Sequence, residues 1–183
     1  MKTRKYLIGL FLIIAASTAF LITAVNVQNK RTHKRSALFN AAVIDDLKEV
    51  KMLIQQGASI NQKVASVFGF TPLIGAIYHD STNITYYLID AGADVNLADD
   101  NGVTPLMWAT SSGDEAVPLV RYLIAHGARL DVKDKYGITV FGYAQSEPPK
   151  PELIKVLEAA RLTQENRGAS NSPTGASNTQ QKL

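Results

Sequence analysis

Imidazole is the usual general base and a frequent metal ligand near neutral pH, so the three histidines, His33, His79 and His126, come first. His79 is followed directly by Asp80, and a His–Asp pair is the core of many acid–base sites. A lone neighbouring pair is common by chance. His33 lies among basic residues. His126 stands before Gly127, where a helix C-terminus favours a cation. Asp99-Asp100 and Asp131 with Asp134 resemble carboxylate pairs. Asn83-Ile84-Thr85 matches a glycosylation pattern, but it begins a predicted helix and reads as coincidence. The absence of cysteine removes thiolate nucleophiles, thiolate zinc sites, disulfides and lipid attachment through cysteine. There is no glycine-rich phosphate loop and no cluster with metal-ligand spacing. No catalytic, metal-binding or cofactor-binding residue is therefore assigned, and the chain is not expected to be an enzyme.

The charges are unevenly placed. The chain of 183 residues has a net charge of +3, yet residues 1–35 carry seven basic side chains and no acidic one. Residues 36–183 carry 12 basic and 16 acidic side chains. An acidic body would repel phosphate, so nucleic acid is not an expected partner.

The basic N-terminus flanks an uncharged run of 20 residues, Tyr6–Val25. A helix of about 20 apolar residues spans the hydrocarbon core of a bilayer. Lys2, Arg4 and Lys5 precede the run, and Lys30, Arg31, Lys34 and Arg35 follow it. The full run fits an uncleaved signal anchor. A cleaved secretory signal is the alternative, with small residues at Ala15-Ala16-Ser17, Ser17-Thr18-Ala19 or Ala24. The flanking charges nearly tie, and long domains translocate despite such bias. The body is thus expected outside the cytosol: in a Gram-negative bacterium, anchored at the inner membrane or free in the periplasm. Residues 1–25 form the anchor or signal, and 26–35 a basic spacer.

The remainder repeats. Leu38-Phe39-Asn40-Ala41-Ala42, Thr71-Pro72-Leu73-Ile74-Gly75-Ala76 and Thr104-Pro105-Leu106-Met107-Trp108-Ala109 each open a segment that ends on Gly-Ala, at positions 57, 92 and 127. Threonine caps the first N–H groups of a helix, and proline at the first turn needs no donor. A second helix carries apolar residues at helical spacing, as in Leu119, Leu123 and Ile124. Glycine then supplies the left-handed residue that ends it.

Ala93-Asp94-Val95-Asn96-Leu97-Ala98-Asp99-Asp100-Asn101-Gly102-Val103-Thr104-Pro105-Leu106 resembles the consensus of the ankyrin repeat family over a whole finger and helix start. The resemblance covers about residues 36–162 and implies an all-α ankyrin-repeat solenoid of helix pairs with β-hairpin-like fingers. It comprises three full repeats and a degenerate C-terminal cap, Thr139–Ala160, interrupted by Pro148-Pro149-Lys150-Pro151. The first finger is two residues longer and apolar, Val64-Ala65-Ser66-Val67-Phe68, and the third repeat has two extra residues within Gly113–Pro118. Ile74 and Met107 replace the family's usual histidine, which implies loops that are less firmly fixed. Residues 163–183 are rich in small polar residues and read as a disordered tail.

The resemblance further implies a protein–protein interaction module that binds through finger tips and first helices. Carried over residue by residue, the partner-binding candidates are Phe68, Phe70, Tyr78, His79, Asp100, Asn101, Val103, Trp108, Ser111, Tyr136 and Ile138. Trp108, the only tryptophan, either meets the partner or packs against Gly75 or Gly142 of adjacent repeats. The expected partner is another protein; no small-molecule substrate is expected. A narrower alternative is an immunity-type inhibitor of a secreted toxin or effector.

Overall fold

The computed structural model describes residues 36–170, so the Tyr6–Val25 run and residues 171–183 lie outside the described residues. No described helix is long and apolar enough to cross a membrane. The chain divides into two compact units between Asp94 and Val95.

The first unit holds helix α1 (residues 36–43), α2 (Leu47–Gln55), α3 (Pro72–Tyr78) and α4 (Thr82–Asp90). Asp46 caps α2 by accepting from the Glu49 N–H at 2.9 Å. Thr71 caps α3 in the same way through Ile74 N–H at 3.1 Å, with Pro72 in the first turn. α3 packs on α4, and α2 on α4. Their seam buries Leu73, Ile84 and Leu88 completely, each worth about 1.5–3 kcal/mol of transfer free energy. Gly75 is dictated by this packing. A Cβ there would stand 2.6 Å from Cε2 of Phe39, so the aromatic ring of α1 rests on bare backbone. Asp45 and Asp80 turn the chain between paired helices with φ of 60° and 56°, a conformation aspartate tolerates better than most side chains.

The second unit holds α5 (Pro105–Ser111), α6 (Val117–Ala125), α7 (Val140–Gln145) and α8 (Pro151–Ser170). α5 packs on α6 and α7, and α8 on both α6 and α7. The extra residues after α5 form a 3-10 turn, Asp114–Ala116. Asp114 Oδ1 accepts from Leu153 N–H at 3.2 Å, so the insertion serves the first turn of α8. The proline-rich interruption begins at Ser146, which is extended, and ends on Lys150. Its ammonium is buried and donates to the Tyr143 carbonyl at 3.1 Å and to Ser146 Oγ at 3.2 Å.

Gly57, Gly92 and Gly127 take the expected left-handed conformation (φ 78°, 87° and 89°). The fingers are hairpin-like turns without paired strands: among the described residues the one β-type pairing in them is an isolated bridge between Val64 and Phe70. The longer first finger spends its additional residues on a 3-10 turn, Ala65–Val67, that lifts Phe68 outward. One boundary is corrected. The helix does not stop at Leu162 but continues through Ser170. Its extension is tied back by Gln164, whose Nε2 donates to the Ala128 carbonyl at 3.3 Å.

Candidate functional site

In the second unit each finger is held from inside by one buried aspartate. Asp99 Oδ1 accepts from the Asn101 N–H at 2.8 Å and the Val103 N–H at 3.0 Å. Its Oδ2 accepts from the Trp108 indole Nε1–H at 3.2 Å. Asp134 repeats the arrangement with Tyr136 N–H at 2.9 Å, Ile138 N–H at 2.8 Å and the Tyr143 hydroxyl at 2.9 Å. Burial pushes the Asp134 carboxyl up, but the donors from Ile138, Tyr143 and Tyr136 outweigh it and hold the group below its ordinary value. Burial and the neighbouring Asp134 carboxylate push the Tyr143 hydroxyl up to about 12. These carboxylates fold loops. Of the two apparent carboxylate pairs, Asp99 and Asp134 hold finger backbone, Asp100 is exposed and Asp131 pairs with Arg129.

Neighbouring fingers are tied edge to edge. Asn96 Oδ1 accepts from Arg129 N–H at 2.8 Å and Nδ2 donates to the Gly127 carbonyl at 2.9 Å. Lys135 N–H donates to the Asn101 carbonyl at 2.8 Å, and its ammonium bonds Asn101 Oδ1. In the first unit Asn61 Oδ1 accepts from Asp94 N–H at 2.9 Å. Met107 takes over part of the missing histidine's task, since Thr104 N–H donates to its sulfur at 3.5 Å. The expectation of loosely fixed loops is corrected for this unit: the Asp99 and Asp134 carboxylates and the Met107 thioether bond its loops.

The partner-binding candidates divide sharply. Phe68 (71% exposed), Tyr136 (75%) and Tyr78 (55%) present large apolar surface to solvent, and Ile138, His79, Asp100 and Ser111 are also exposed. Phe70 (5%) and Val103 (8%) are corrected to core residues. Phe70 closes the bridge to Val64 and packs edge-on against Tyr78, centroids 5.8 Å apart. Val103 donates its N–H to the Asp99 carboxylate and accepts the Asp99 N–H at its C=O. Asn101 is half-buried and spent on Lys135. Trp108 is half-buried with its N–H committed to Asp99. It does not fill the notch at Gly142. Phe39 occupies the space at Gly75, and an Ile138 methyl would stand 2.6 Å from a Cβ at Gly142.

The residue that stands to Asp134 as Trp108 stands to Asp99 is Tyr143, which is not among the sequence-predicted candidates. The signal was present in the sequence: each aromatic follows its aspartate at the same distance.

Two of the three histidines are placed, and His33 lies outside the described residues. The His79 backbone N–H closes α3 onto the Gly75 carbonyl at 3.1 Å, and its ring lies edge-on to Tyr78 at 5.1 Å. His126 Nδ1 donates to the Tyr122 carbonyl at 2.9 Å and its ring overlies Tyr122 at 4.3 Å. Thr85 of the Asn83-Ile84-Thr85 pattern is buried in α4, its hydroxyl bonded to the Ser81 carbonyl at 3.0 Å.

Helix pairs joined by short turns and side-chain-braced fingers define a helical repeat protein. The sequence profile of ankyrin repeats (3 copies) matches residues 10–99 and 92–165, and the chain belongs to that family. It is 40% identical over 86 residues to the rat Ankyrin repeat and SAM domain-containing protein 6, covering 47% of this chain and 10% of that one. It is 33% identical over 106 residues to an ankyrin repeat-containing protein of Treponema pallidum, covering 57% and 35%. It is 31% identical over 97 residues to human Transient receptor potential cation channel subfamily A member 1, covering 50% and 8%. The matches thus span a third or less of these relatives' length, or little more. Ankyrin repeats are protein–protein interaction modules, and that is the class of function this chain carries.

Proposed function

We propose that the chain is a non-enzymatic interaction module that captures a partner protein outside the cytosol. It is held at the membrane by residues 6–25, or exported after their removal. One observation carries the binding surface. The finger backbones of the second unit are fixed from inside by Asp99 and Asp134, while the tip side chains Asp100, Tyr136 and Ile138 stay in solvent. A tip held this way loses little conformational freedom on binding, and an exposed tyrosine is a frequent interface anchor. The first unit offers its own tip, Phe68, with Tyr78 and His79 on the adjoining helix. The uncharged Tyr6–Val25 run between basic flanks supports the membrane part of the reading.

Affinity capture from the native host tests the binding surface. The full chain retains a specific protein, and Tyr136→Asp or Phe68→Asp loses it while the helical circular-dichroism signal is unchanged. Retention of the same protein by both variants overturns the tip assignment. If the retained protein is a secreted toxin or effector, the role narrows to immunity. Membrane fractionation with intact-mass measurement separates an anchored chain from an exported, shortened one.

A further inference from the structure

Successive fingers are coupled by a bond that recurs with the repeat. Asn61, Asn96 and Asp131 hold the same place in their fingers, at a spacing of 35 residues. Asn61 Oδ1 accepts from the Asp94 N–H at 2.9 Å, and Asn96 Oδ1 accepts from the Arg129 N–H at 2.8 Å. Both donors lie 33 residues further on, at the root of the next finger. Both are followed directly by a buried apolar residue, Val95 and Leu130. Nearer the tip, in the second unit, the Asn101 carbonyl accepts from the Lys135 N–H at 2.8 Å.

The last finger presents the same acceptors, and no finger lies beside it among the described residues. Gly57, Gly92 and Gly127 end their helices in the left-handed conformation, and the next place in that series is Leu162. Without a glycine to turn the chain outward, α8 runs on through Ser170. The residue that would donate to Asp131 by this spacing is Gln164, which lies in α8 and donates through its side chain to the Ala128 carbonyl instead. The exposed Asp131 carboxylate takes two bonds, both from Arg129 of its own finger, at 3.0 Å and 2.8 Å. An ionised carboxylate has about four lone-pair sites, so it can accept an N–H as well. The Tyr136 carbonyl holds the place of the Asn101 carbonyl and accepts no hydrogen bond from the described residues. Beside Asp131 lies a cavity of about 410 Å³, between the last finger and helices α7 and α8, with Leu130 and Phe141 as its apolar walls.

We infer that the open edge of the last finger receives a finger-like segment of the partner protein. One backbone N–H of that segment bonds Asp131, a second bonds the Tyr136 carbonyl, and the apolar side chain that follows the first enters the cavity between Leu130 and Phe141. The segment continues a row in which each finger already pairs with the one before it. Main-chain bonds supply the attachment and the side-chain cavity the selectivity, as when a strand is added to a sheet edge. The inference rests on the chain's capture of a partner protein, proposed above, and names the element of that partner which the last finger takes.

The test is fluorescence anisotropy with the full chain in phosphatidylcholine nanodiscs and a fluorescein-labelled peptide amide copying residues 128–138, ARLDVKDKYGI, the finger that the row already seats. The expected result is saturable binding, weakened about tenfold by Asp131→Ala, the loss of one charge-assisted acceptor. Asp131→Asn installs the side chain used at positions 61 and 96 and should keep most of the binding. A peptide N-methylated at Arg129 lacks the first donor, and a peptide with Leu130→Asp brings a charge to an apolar cavity; each should bind at least about tenfold more weakly. Failure of the parent peptide to bind, equal binding of the N-methylated peptide, or indifference to Asp131→Ala overturns the proposal. So does self-association of the full chain, seen by sedimentation velocity and abolished by Asp131→Ala, which would assign the edge to a second copy. The peptide reads the edge and affinity capture reads the tips. Capture lost in the tip variants with no peptide binding strikes the edge alone, and peptide binding with capture intact in the tip variants strikes the tips alone.

Discussion

The Trp108 indole N–H donates to the Asp99 carboxylate at 3.2 Å, so an aromatic on the first helix of a repeat locks the finger that precedes it. Tyr143 does the same for Asp134 at 2.9 Å through a hydroxyl. The carboxylate is the hub in both cases, because its second oxygen satisfies two backbone N–H groups that the short finger cannot pair elsewhere.

Removal of the hub costs more than removal of either spoke. Asp134→Ala removes the shared acceptor of two backbone donors and the Tyr143 hydroxyl, and the expected loss is about 2–4 kcal/mol. Tyr143→Phe removes one donor and is expected to cost about 1–2 kcal/mol. Urea unfolding of the three proteins checks the order. A smaller loss for Asp134→Ala than for Tyr143→Phe would contradict the hub.

The same pair sets the pH limits of stability. Asp134 has a lowered carboxyl pKa in the fold, so its contribution is present above its unfolded value, near 3.8, and is lost as pH falls below it. Tyr143 is raised from 10.0 to about 12, so the folded state holds a proton that the unfolded state releases. Its contribution is complete below pH 10 and is lost as pH rises from there towards 12. Wild type and Tyr143→Phe should therefore converge in stability across that alkaline window. A constant difference from neutral pH to pH 12 would contradict this assignment.

Gly75 reports on the seat of Phe39. Gly75→Ala places a methyl 2.6 Å from the ring and is expected to destabilise by about 1–3 kcal/mol. In a Phe39→Leu background the added methyl should cost clearly less. Additive effects in the thermal unfolding of the four proteins would show that the ring does not sit there.

Trp108 gives a spectroscopic readout of its finger, since the chain has no other tryptophan. Asp99→Asn weakens the acceptor of the indole N–H and alters the two backbone bonds at Oδ1. The expected result is a red-shifted emission and easier iodide quenching. Unchanged emission would mean that the indole is not held by Asp99.

Much of the fold could be read from spacing. The Thr71-Pro72 and Thr104-Pro105 caps, the glycines at 57, 92 and 127, and the apolar rows of the second helices are local devices, and each acts where its sequence pattern places it. The site was only half legible. Variable repeat positions chose Phe68, Tyr78 and Tyr136, which are exposed, and equally Phe70 and Val103, which are buried. Val103 and Ile138 stand alike to Asp99 and Asp134, yet the first is buried and the second exposed, so the way a finger residue faces is a three-dimensional outcome that repeat position does not give. The end of α8 was misplaced for a related reason. Polar residues after Leu162 look unable to order themselves, whereas the helix continues and Gln164 finds a carbonyl contributed by a distant part of the unit.

The central claim is that the exposed finger tips meet a protein. Site-specific photo-crosslinking in the native host tests it most directly, with p-benzoylphenylalanine in place of Tyr136, Phe68 or, as a control, the exposed Arg121 on α6. A discrete protein adduct from Tyr136 or Phe68 and none from Arg121 is the predicted result. No adduct from either tip, or the same adduct from all three positions, would contradict it.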